Sequence, residues 1–132
     1  MELDIDREIY ELQGIVPETT RGNFYELENG NIGAIIPLDT SRNNFPEDEF
    51  EILIEYHEAY PEKPPKVWLL EPELPADTPH VWGRDESGHA RLSLRTHDWT
   101  AEMTSHDTLV LTKEWISSFE TWTNEGTWGT IY

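Results

Sequence analysis

Histidine and aspartate side chains are the groups in this sequence whose types and spacing could perform chemistry. His97 is followed by Asp98 and His106 by Asp107, and His80 precedes both pairs. Imidazole and carboxylate together are typical ligands of hydrolytic metal sites. None of these histidines has the i, i+4 spacing of a helical metal motif, and 27 acidic residues make chance His-Asp neighbours common. A metal-assisted hydrolase is therefore only an alternative interpretation, and the sequence predicts neither a metal site nor another cofactor.

Sulfur chemistry is excluded, because the sequence contains no cysteine. Without a thiolate there is no thioester, no disulfide and no thiolate-bound metal. A glycine-rich phosphate loop and the Gly-x-Ser-x-Gly elbow of hydrolases are also missing from the sequence. These absences exclude thiol chemistry and give no motif for phosphate-loop or Gly-x-Ser-x-Gly hydrolase chemistry.

Two segments have the apolar spacing of helices. Ile5, Ile9 and Leu12 predict a first helix near the start of the chain, with Gly14 at its end. A second helix is predicted to begin at Ser105 as its N-cap. Its apolar face consists of Leu111, Trp115, Phe119 and Trp122.

Between the two helices the pattern is typical of strands. Asn29-Gly30 predicts a hairpin between residues 24–27 and 32–36, with a type I′ turn in which both central residues have positive φ. The alternation over residues 50–57 predicts a third strand, and the apolar residues 67–69 predict a fourth.

The remaining segment, residues 70–86, contains three prolines and is predicted to be irregular. The pattern as a whole predicts an α+β fold with an N-terminal helix, a four-stranded antiparallel meander and a second helix packed on the sheet. Residues 1–132 are short enough to form a single domain.

Three motifs in this order resemble those of ubiquitin-conjugating enzymes. The segment Tyr60-Pro61-Glu62-Lys63-Pro64-Pro65-Lys66-Val67 is similar to the family's YPxxPPxV turn, and we call it the proline corner. Gly88-His89-Ala90-Arg91-Leu92 is similar to the family's Gly-x-x-Cys-Leu. Trp99-Thr100-Ala101-Glu102-Met103-Thr104 is similar to its Trp-Ser-Pro-x-Leu-Thr. The resemblance implies the ubiquitin-conjugating-enzyme-like (UBC-like) fold, without the two C-terminal helices of the eukaryotic members.

The sequence departs from the family at the nucleophile, since Arg91 stands where the family has its catalytic cysteine. A guanidinium stays protonated and cannot attack a carbonyl carbon. The family's His-Pro-Asn is also changed, and only His80 remains, which we expect to brace its loop through hydrogen bonds to the backbone. Ser93 lies nearby, but no base is evidently placed to activate it. His80, Gly88, Arg91 and Leu92 are therefore interpreted as degenerate active-site positions.

The resemblance implies a catalytically inactive relative that works by binding. It would act as a scaffold in a prokaryotic ubiquitin-like conjugation system, with a ubiquitin-like protein or a conjugating or activating enzyme as its partner. The expected partner surface consists of Glu62, Lys63, Pro64, Trp99, Thr100 and Ala101. An RWD-like protein-interaction subunit, which has the same fold and the proline corner, is a further alternative.

The net charge of −18 restricts the partners and the setting. Such a charge repels phosphate backbones, which argues against nucleic acid as a direct partner. The acidic residues suit either a basic protein partner or a salt-rich halophilic cytoplasm, and their even spread favours the second interpretation. No apolar run reaches the length of a membrane span, and the acidic start is unlike a secretory signal, so the sequence predicts a cytoplasmic protein without membrane contact.

Overall fold

A computed structural model describes residues 3–39 and 49–129 of the chain. Two helices flank a series of short strands, and a single 3₁₀ turn (Arg21–Asn23) precedes the first strand. The helices are α1 (Ile5–Gln13) and α2 (Ser105–Glu125). The strands are β1 (Phe24–Glu26), β2 (Ile32–Asp39), β3 (Glu49–Tyr56), β4 (Lys66–Glu71), β5 (Val81–Arg84) and β6 (Ala90–Leu92). The α+β class is therefore confirmed.

All six strands form one antiparallel sheet, in the order β1-β2-β3-β4-β6-β5. The predicted number of four strands is wrong, because β5 and β6 extend the sheet beyond β4. Pro72, Pro75 and Pro79 all precede Val81, so no proline interrupts the hydrogen-bond ladder of the added hairpin. Because of its three prolines, the whole of residues 70–86 was predicted to be irregular, although a strand begins after the last proline.

The termini of α2 are set by side-chain and glycine caps. Thr104, not the predicted Ser105, is the N-cap: its hydroxyl accepts a hydrogen bond from the backbone of His106, while Asp107 accepts one from the backbone N–H of Thr104. Gly126 ends the helix with a φ of 79°. The resemblance implied that no further helix follows α2. Residues 127–129 form none, and residues 130–132 lie outside the described residues.

The β1–β2 hairpin forms at the predicted position with a different turn. Leu27 donates its backbone N–H to Asn31, and Gly30 donates to Leu27. Gly30 has a φ of 88°, whereas Asn29 is not in the left-handed region, so the predicted type I′ geometry is wrong. The Asn29 side chain instead accepts a hydrogen bond from the backbone of Asn31 and stabilises the turn locally.

The core lies between one face of the sheet and the buried face of α2. Alternate residues of β3, among them Phe50, Ile52 and Ile54, are fully buried against the helix. The rings of Phe50 and Phe119 meet edge to face, with centroids 6.3 Å apart. Neither helix of the described ranges combines the length and the apolar content that crossing a membrane requires.

Glu55 on β3 carries a buried carboxylate, which lies on the face of the sheet away from α2 and is held there by hydrogen bonds. Its two oxygens accept hydrogen bonds from the amides of Asn29 and Asn31 and from the indole of Trp68, at 2.7–3.0 Å. Burial raises the pKa of Glu55, but these hydrogen bonds and the charge of Lys66 outweigh burial and bring its pKa below the ordinary value of 4.5.

We expect Glu55→Gln to lower the free energy of unfolding by about 1–2 kcal/mol at pH 7, because hydrogen bonds to a charged acceptor are lost. Since the pKa of Glu55 is lower in the folded protein, the stabilisation is present above pH 4.5 and disappears as the pH falls through the folded pKa. Urea unfolding of both proteins at several pH values checks this. A difference that is the same at neutral and at strongly acidic pH would contradict the assignment.

Candidate functional site

Backbone and histidine contacts stabilise the proline corner from inside. Lys63 donates its backbone N–H to Ala59 at 2.8 Å. The Nδ1 atom of His57 accepts a hydrogen bond from the backbone of Ala59, so its Nε2 atom carries the proton and donates to the carbonyl of Pro64 at 2.8 Å. The corner is therefore a preformed element of fixed shape.

Trp99 joins the proline corner to the loop before α2. Its indole N–H donates to the carbonyl oxygen of Pro61 at 2.7 Å, and its ring lies 6.4 Å from that of Tyr60. Trp99 thus packs against the corner rather than under its own loop. The two predicted partner segments are brought together, and we call residues 62–64 and 99–101 the corner–loop surface. Its exposed members are Glu62, Lys63, Thr100 and Ala101, while Pro64 and Trp99 are half-buried.

A shallow groove continues from Trp99 along the side of α2. It has a volume of about 270 Å³ and is lined in part by Met103, Val110 and Leu111. Val110 is 47% exposed, which is unusual for an apolar side chain on a helix that packs on the sheet. The corner–loop surface is therefore continuous with apolar surface on α2.

Beneath the corner lies a buried polar network that the sequence did not reveal. The carboxylate of Glu8, only 2% exposed, accepts hydrogen bonds from the hydroxyls of Tyr60 (2.8 Å) and Ser105. Ser105 also bonds Tyr56 at 2.6 Å. Burial, followed by the negative charge of Glu8, raises the pKa of Tyr60 far above its usual range, and burial does the same to the pKa of Tyr56. The network connects α1, the corner and the start of α2.

One signal in the sequence could have indicated this network. Glu8 lies four residues before Leu12, on the buried side of α1. An acidic residue on the apolar side of a helix needs a buried donor, and a hydroxyl such as that of Ser105 is suitable. The assignment of Ser105 as N-cap hid this role.

His80 has an unusual backbone conformation. With a φ of 56°, it is the only residue other than glycine with a positive φ in the described ranges. Its carbonyl oxygen accepts hydrogen bonds from the indole of Trp115 at 2.9 Å and from the backbone N–H of Ser93 at 3.0 Å. Its ring lies 4.8 Å from the ring of Trp128. The contacts of His80 thus connect β5, the end of β6 and α2.

Arg91 lies on β6, and Ser93, not Arg91, is hydrogen-bonded to His80. The direct partners of Arg91 in the sheet are Trp68 on β4 and Gly83 on β5. The two residues flanking Arg91 in sequence are buried, so its side chain projects from the opposite face of the sheet. Arg91 is therefore a half-buried residue on the face of the sheet away from α2.

Gly88 and Leu92 both have structural roles near position 91. Gly88 has a φ of 85° in the β5–β6 turn, where its N–H donates to Asp85, and a β-carbon at Gly88 would be strained by that φ. Asp85 accepts hydrogen bonds from the backbones of Ser87 and His89 and from the His89 ring. Slight burial raises the pKa of Asp85, but these hydrogen bonds outweigh burial and lower its pKa below the ordinary value. Leu92 is buried in the core.

The histidines and aspartates of the hydrolase alternative lie partly together, since His97, Asp98 and Asp107 line the groove beside α2, but they form no metal-binding group. His97 lies 3.3 Å from its neighbour Asp98, Asp107 is part of the helix cap, and His106 packs against Gly14. No group of three His, Asp or Glu side chains within residues 3–39 and 49–129 is arranged to hold a metal ion. The structure therefore gives no support to the hydrolase interpretation.

The motifs described above lie within a single family match. No curated protein matches this chain. The family model described as Type II CBASS E2 protein (E2-CBASS) matches residues 18–131, which include the proline corner, the β5–β6 hairpin and the Trp99 loop. Because the match spans most of the 132 residues, the chain belongs to the Type II CBASS E2 protein family.

Proposed function

We propose that this protein is a catalytically inactive, ubiquitin-conjugating-enzyme-like member of its family. It acts as a binding or scaffold module in a prokaryotic ubiquitin-like conjugation system. The family name supports an E2-like role in CBASS, a system related to ubiquitin conjugation. The UBC-like fold that the motifs imply is part of the same proposal.

Arg91 is the observation that carries the proposal. Transfer of a ubiquitin-like protein by an E2 enzyme passes through a thioester, which requires a thiolate. The sequence contains no cysteine, and a guanidinium at the corresponding position can neither attack a carbonyl nor leave. Ser93 is adjacent to His80, but the bond between them joins backbone atoms, so it gives the Ser93 hydroxyl no base.

The corner–loop surface is the part of the molecule that we propose binds the partner. Trp99 and the proline corner are joined by a hydrogen bond of 2.7 Å, so the surface is held in one shape before binding. Rigid elements lose little conformational entropy on association, and tryptophan rings such as that of the half-buried Trp99 are common anchors of interfaces. The buried Glu8 network fixes the corner from below.

Isolation of native complexes from the source cells, followed by mass spectrometry, tests the proposal. We expect a ubiquitin-like protein or another conjugation component in the complex, joined without a covalent bond to this chain. Repeated recovery without any conjugation component would argue against a scaffold role. A covalent ester between this chain and a ubiquitin-like protein would refute catalytic inactivity.

Trp99→Ala is expected to weaken partner binding by about 2 kcal/mol, roughly thirtyfold, because an anchor ring is lost and the corner is released. The binding constant is measured by calorimetry with the recovered partner. Tyr25→Ala is the matched control, since it removes an exposed ring from β1, outside the corner–loop surface. Equal losses for both variants would contradict the proposed surface.

A further inference from the structure

The side chain of Arg91 has no polar partner within residues 3–39 and 49–129, although the chain is strongly acidic. Arg21 pairs with Asp6 at 3.0 Å and Arg95 with Glu114 at 3.4 Å. For Arg91, the described residues provide no side-chain hydrogen bond and no ion pair. A guanidinium carries five N–H donors, and none of those of the half-buried Arg91 is bonded within the described part of the chain.

The surroundings of Arg91 leave room for such a ligand. The pairing between β5 and β6 shifts between Val81 and Gly83, so Trp82 is an extra residue on the strand opposite Arg91. The Trp82 ring is 69% exposed. Gly83, the register partner of Arg91 on β5, carries no side chain, and a β-carbon built there would meet no atom within 4 Å apart from its chain neighbours. Trp68 bounds the site on its other side.

The strand next to Arg91 can also bind a peptide backbone. Among the described residues, β5 pairs only with β6 and is therefore an edge of the sheet, with one row of backbone groups that no described strand covers. An extended peptide can form backbone hydrogen bonds with such an edge strand. Its single exposed aromatic ring, Trp82, is suited to contact an apolar side chain of that chain.

We propose that Arg91, Trp82 and the β5 edge form a binding site for an extended peptide segment that ends in or contains a carboxylate. The guanidinium donates two parallel hydrogen bonds to the carboxylate, and Trp82 packs against the peptide. The ligand is held by charge and hydrogen bonds, with no covalent step. The identity of the protein that supplies the peptide rests on the proposed function, while the site itself rests on the contacts above.

A carboxylate fits this site better than a phosphate does. Phosphate is bound by several cations or by convergent backbone N–H groups, whereas Arg91 is the single cation of β6, the strand beside the edge strand β5. A net charge of −18 also repels a dianion more than it repels a singly charged carboxylate. A peptide backbone on β5 adds hydrogen bonds that inorganic phosphate cannot make.

The test uses the full ¹⁵N-labelled chain and an acetylated Thr-Val-Thr-Val peptide with a free C-terminal carboxylate. The indole N–H signals of Trp82 and Trp68 report on the site, and that of buried Trp115 serves as an internal reference. Two further peptides separate the possible sources of the carboxylate. One has a C-terminal amide, and the other has the amide and an internal glutamate.

We expect the carboxylate peptide to bind about tenfold or more tightly than the uncharged amide, with weaker binding at high salt. Arg91→Gln should abolish this preference, and Arg91→Lys, which keeps the charge but loses the fork, should retain part of it. Arg7→Gln removes a comparable charge from α1 and should leave the preference unchanged. Binding of the internal-glutamate peptide would assign the site to a side-chain carboxylate.

Three results would overturn the proposal. These are equal affinity of the carboxylate and amide peptides, an unchanged preference in Arg91→Gln, and absence of Trp82 shifts at peptide concentrations of about 10 mM. Tighter binding of inorganic phosphate would also overturn it, by showing a general anion site. If the peptide fails but native complexes still contain a conjugation component, only the carboxylate site is wrong. If the peptide binds and no such complex exists, only the scaffold function is wrong.

Discussion

Replacing Trp115 by alanine is expected to lower the free energy of unfolding by about 3–5 kcal/mol. The side chain is fully buried, its ring stacks on Phe119 with centroids 5.5 Å apart, and its edge contacts Trp128 at 5.2 Å. Alanine would leave a large cavity between α2 and the sheet. Urea unfolding monitored by circular dichroism measures the change in the free energy of unfolding.

The same substitution is expected to release the segment around His80. The indole N–H of Trp115 donates to the His80 carbonyl, and His80 is held at a φ of 56°, which costs energy for a residue other than glycine. Faster hydrogen exchange in β5 and β6 should accompany the loss of stability.

Trp115→Phe separates the two contributions, because phenylalanine fills most of the volume but has no N–H. We expect a loss of about 1–2 kcal/mol, from the hydrogen bond and a smaller cavity. If Trp115→Ala costs no more than Trp115→Phe, the ring does not support the core as described.

Glu8→Ala is expected to lower the free energy of unfolding by about 2–4 kcal/mol. The hydroxyls of Tyr60 and Ser105 both donate to the Glu8 carboxylate and would lose that acceptor in a buried region. A buried polar group without a partner costs about 1–3 kcal/mol, and a cavity adds to this. Urea unfolding at neutral pH measures the loss.

Glu8→Gln is the matched control, since its uncharged amide oxygen can still accept hydrogen bonds and its shape is nearly unchanged. We expect it to be less destabilising than Glu8→Ala. A double-mutant cycle between Glu8→Ala and Tyr60→Phe should give a coupling energy of about 1–2 kcal/mol. Additive effects within error would mean that the Tyr60–Glu8 hydrogen bond contributes nothing to stability.

The Glu8 network also has a consequence for binding. Tyr60 is the first residue of the proline corner. Its hydroxyl donates a hydrogen bond to Glu8 on α1, and its ring contacts the ring of Trp99. The interior of the protein and the corner–loop surface are thus connected through a single residue. Variants of Glu8 should therefore alter partner affinity as well as stability, although Glu8 is buried and cannot touch a partner.

The strand alternation and the turn residues located much of the fold from the sequence. The apolar stripe from Trp115 to Phe119 indicated α2, and the alternation over residues 50–57 indicated β3, because such periodicities follow from local backbone geometry. Asn29-Gly30 indicated the hairpin but not its turn type, since the side chain of Asn29 bonds Asn31 instead of adopting a positive φ. Local sequence patterns thus predicted the presence of helices and strands better than their turn types and terminal residues.

The β5–β6 hairpin and the cap of α2 were decided by contacts that pattern alone does not contain. Val81–Arg84 is a strand because it pairs with β6, which in turn pairs with β4, and a short edge strand has little signal of its own. Ser105 was predicted to be the N-cap of α2, but its hydroxyl instead donates a hydrogen bond to the buried carboxylate of Glu8, 97 residues earlier in the chain. Side-chain competition of this kind is settled only in three dimensions.

The sequence by itself determined the α+β class, the absence of any thiol, the strongly acidic charge and the motifs of the corner, the hairpin and the Trp99 loop. These properties depend on residue identity and local spacing. The tertiary structure alone decided that Trp99 binds the corner, that Glu8 lies buried beneath it, and that Arg91 lies beside Gly83 on the sheet face away from α2. The physical reason is that each depends on which distant segments meet, and on whether a buried polar or charged group finds a partner there.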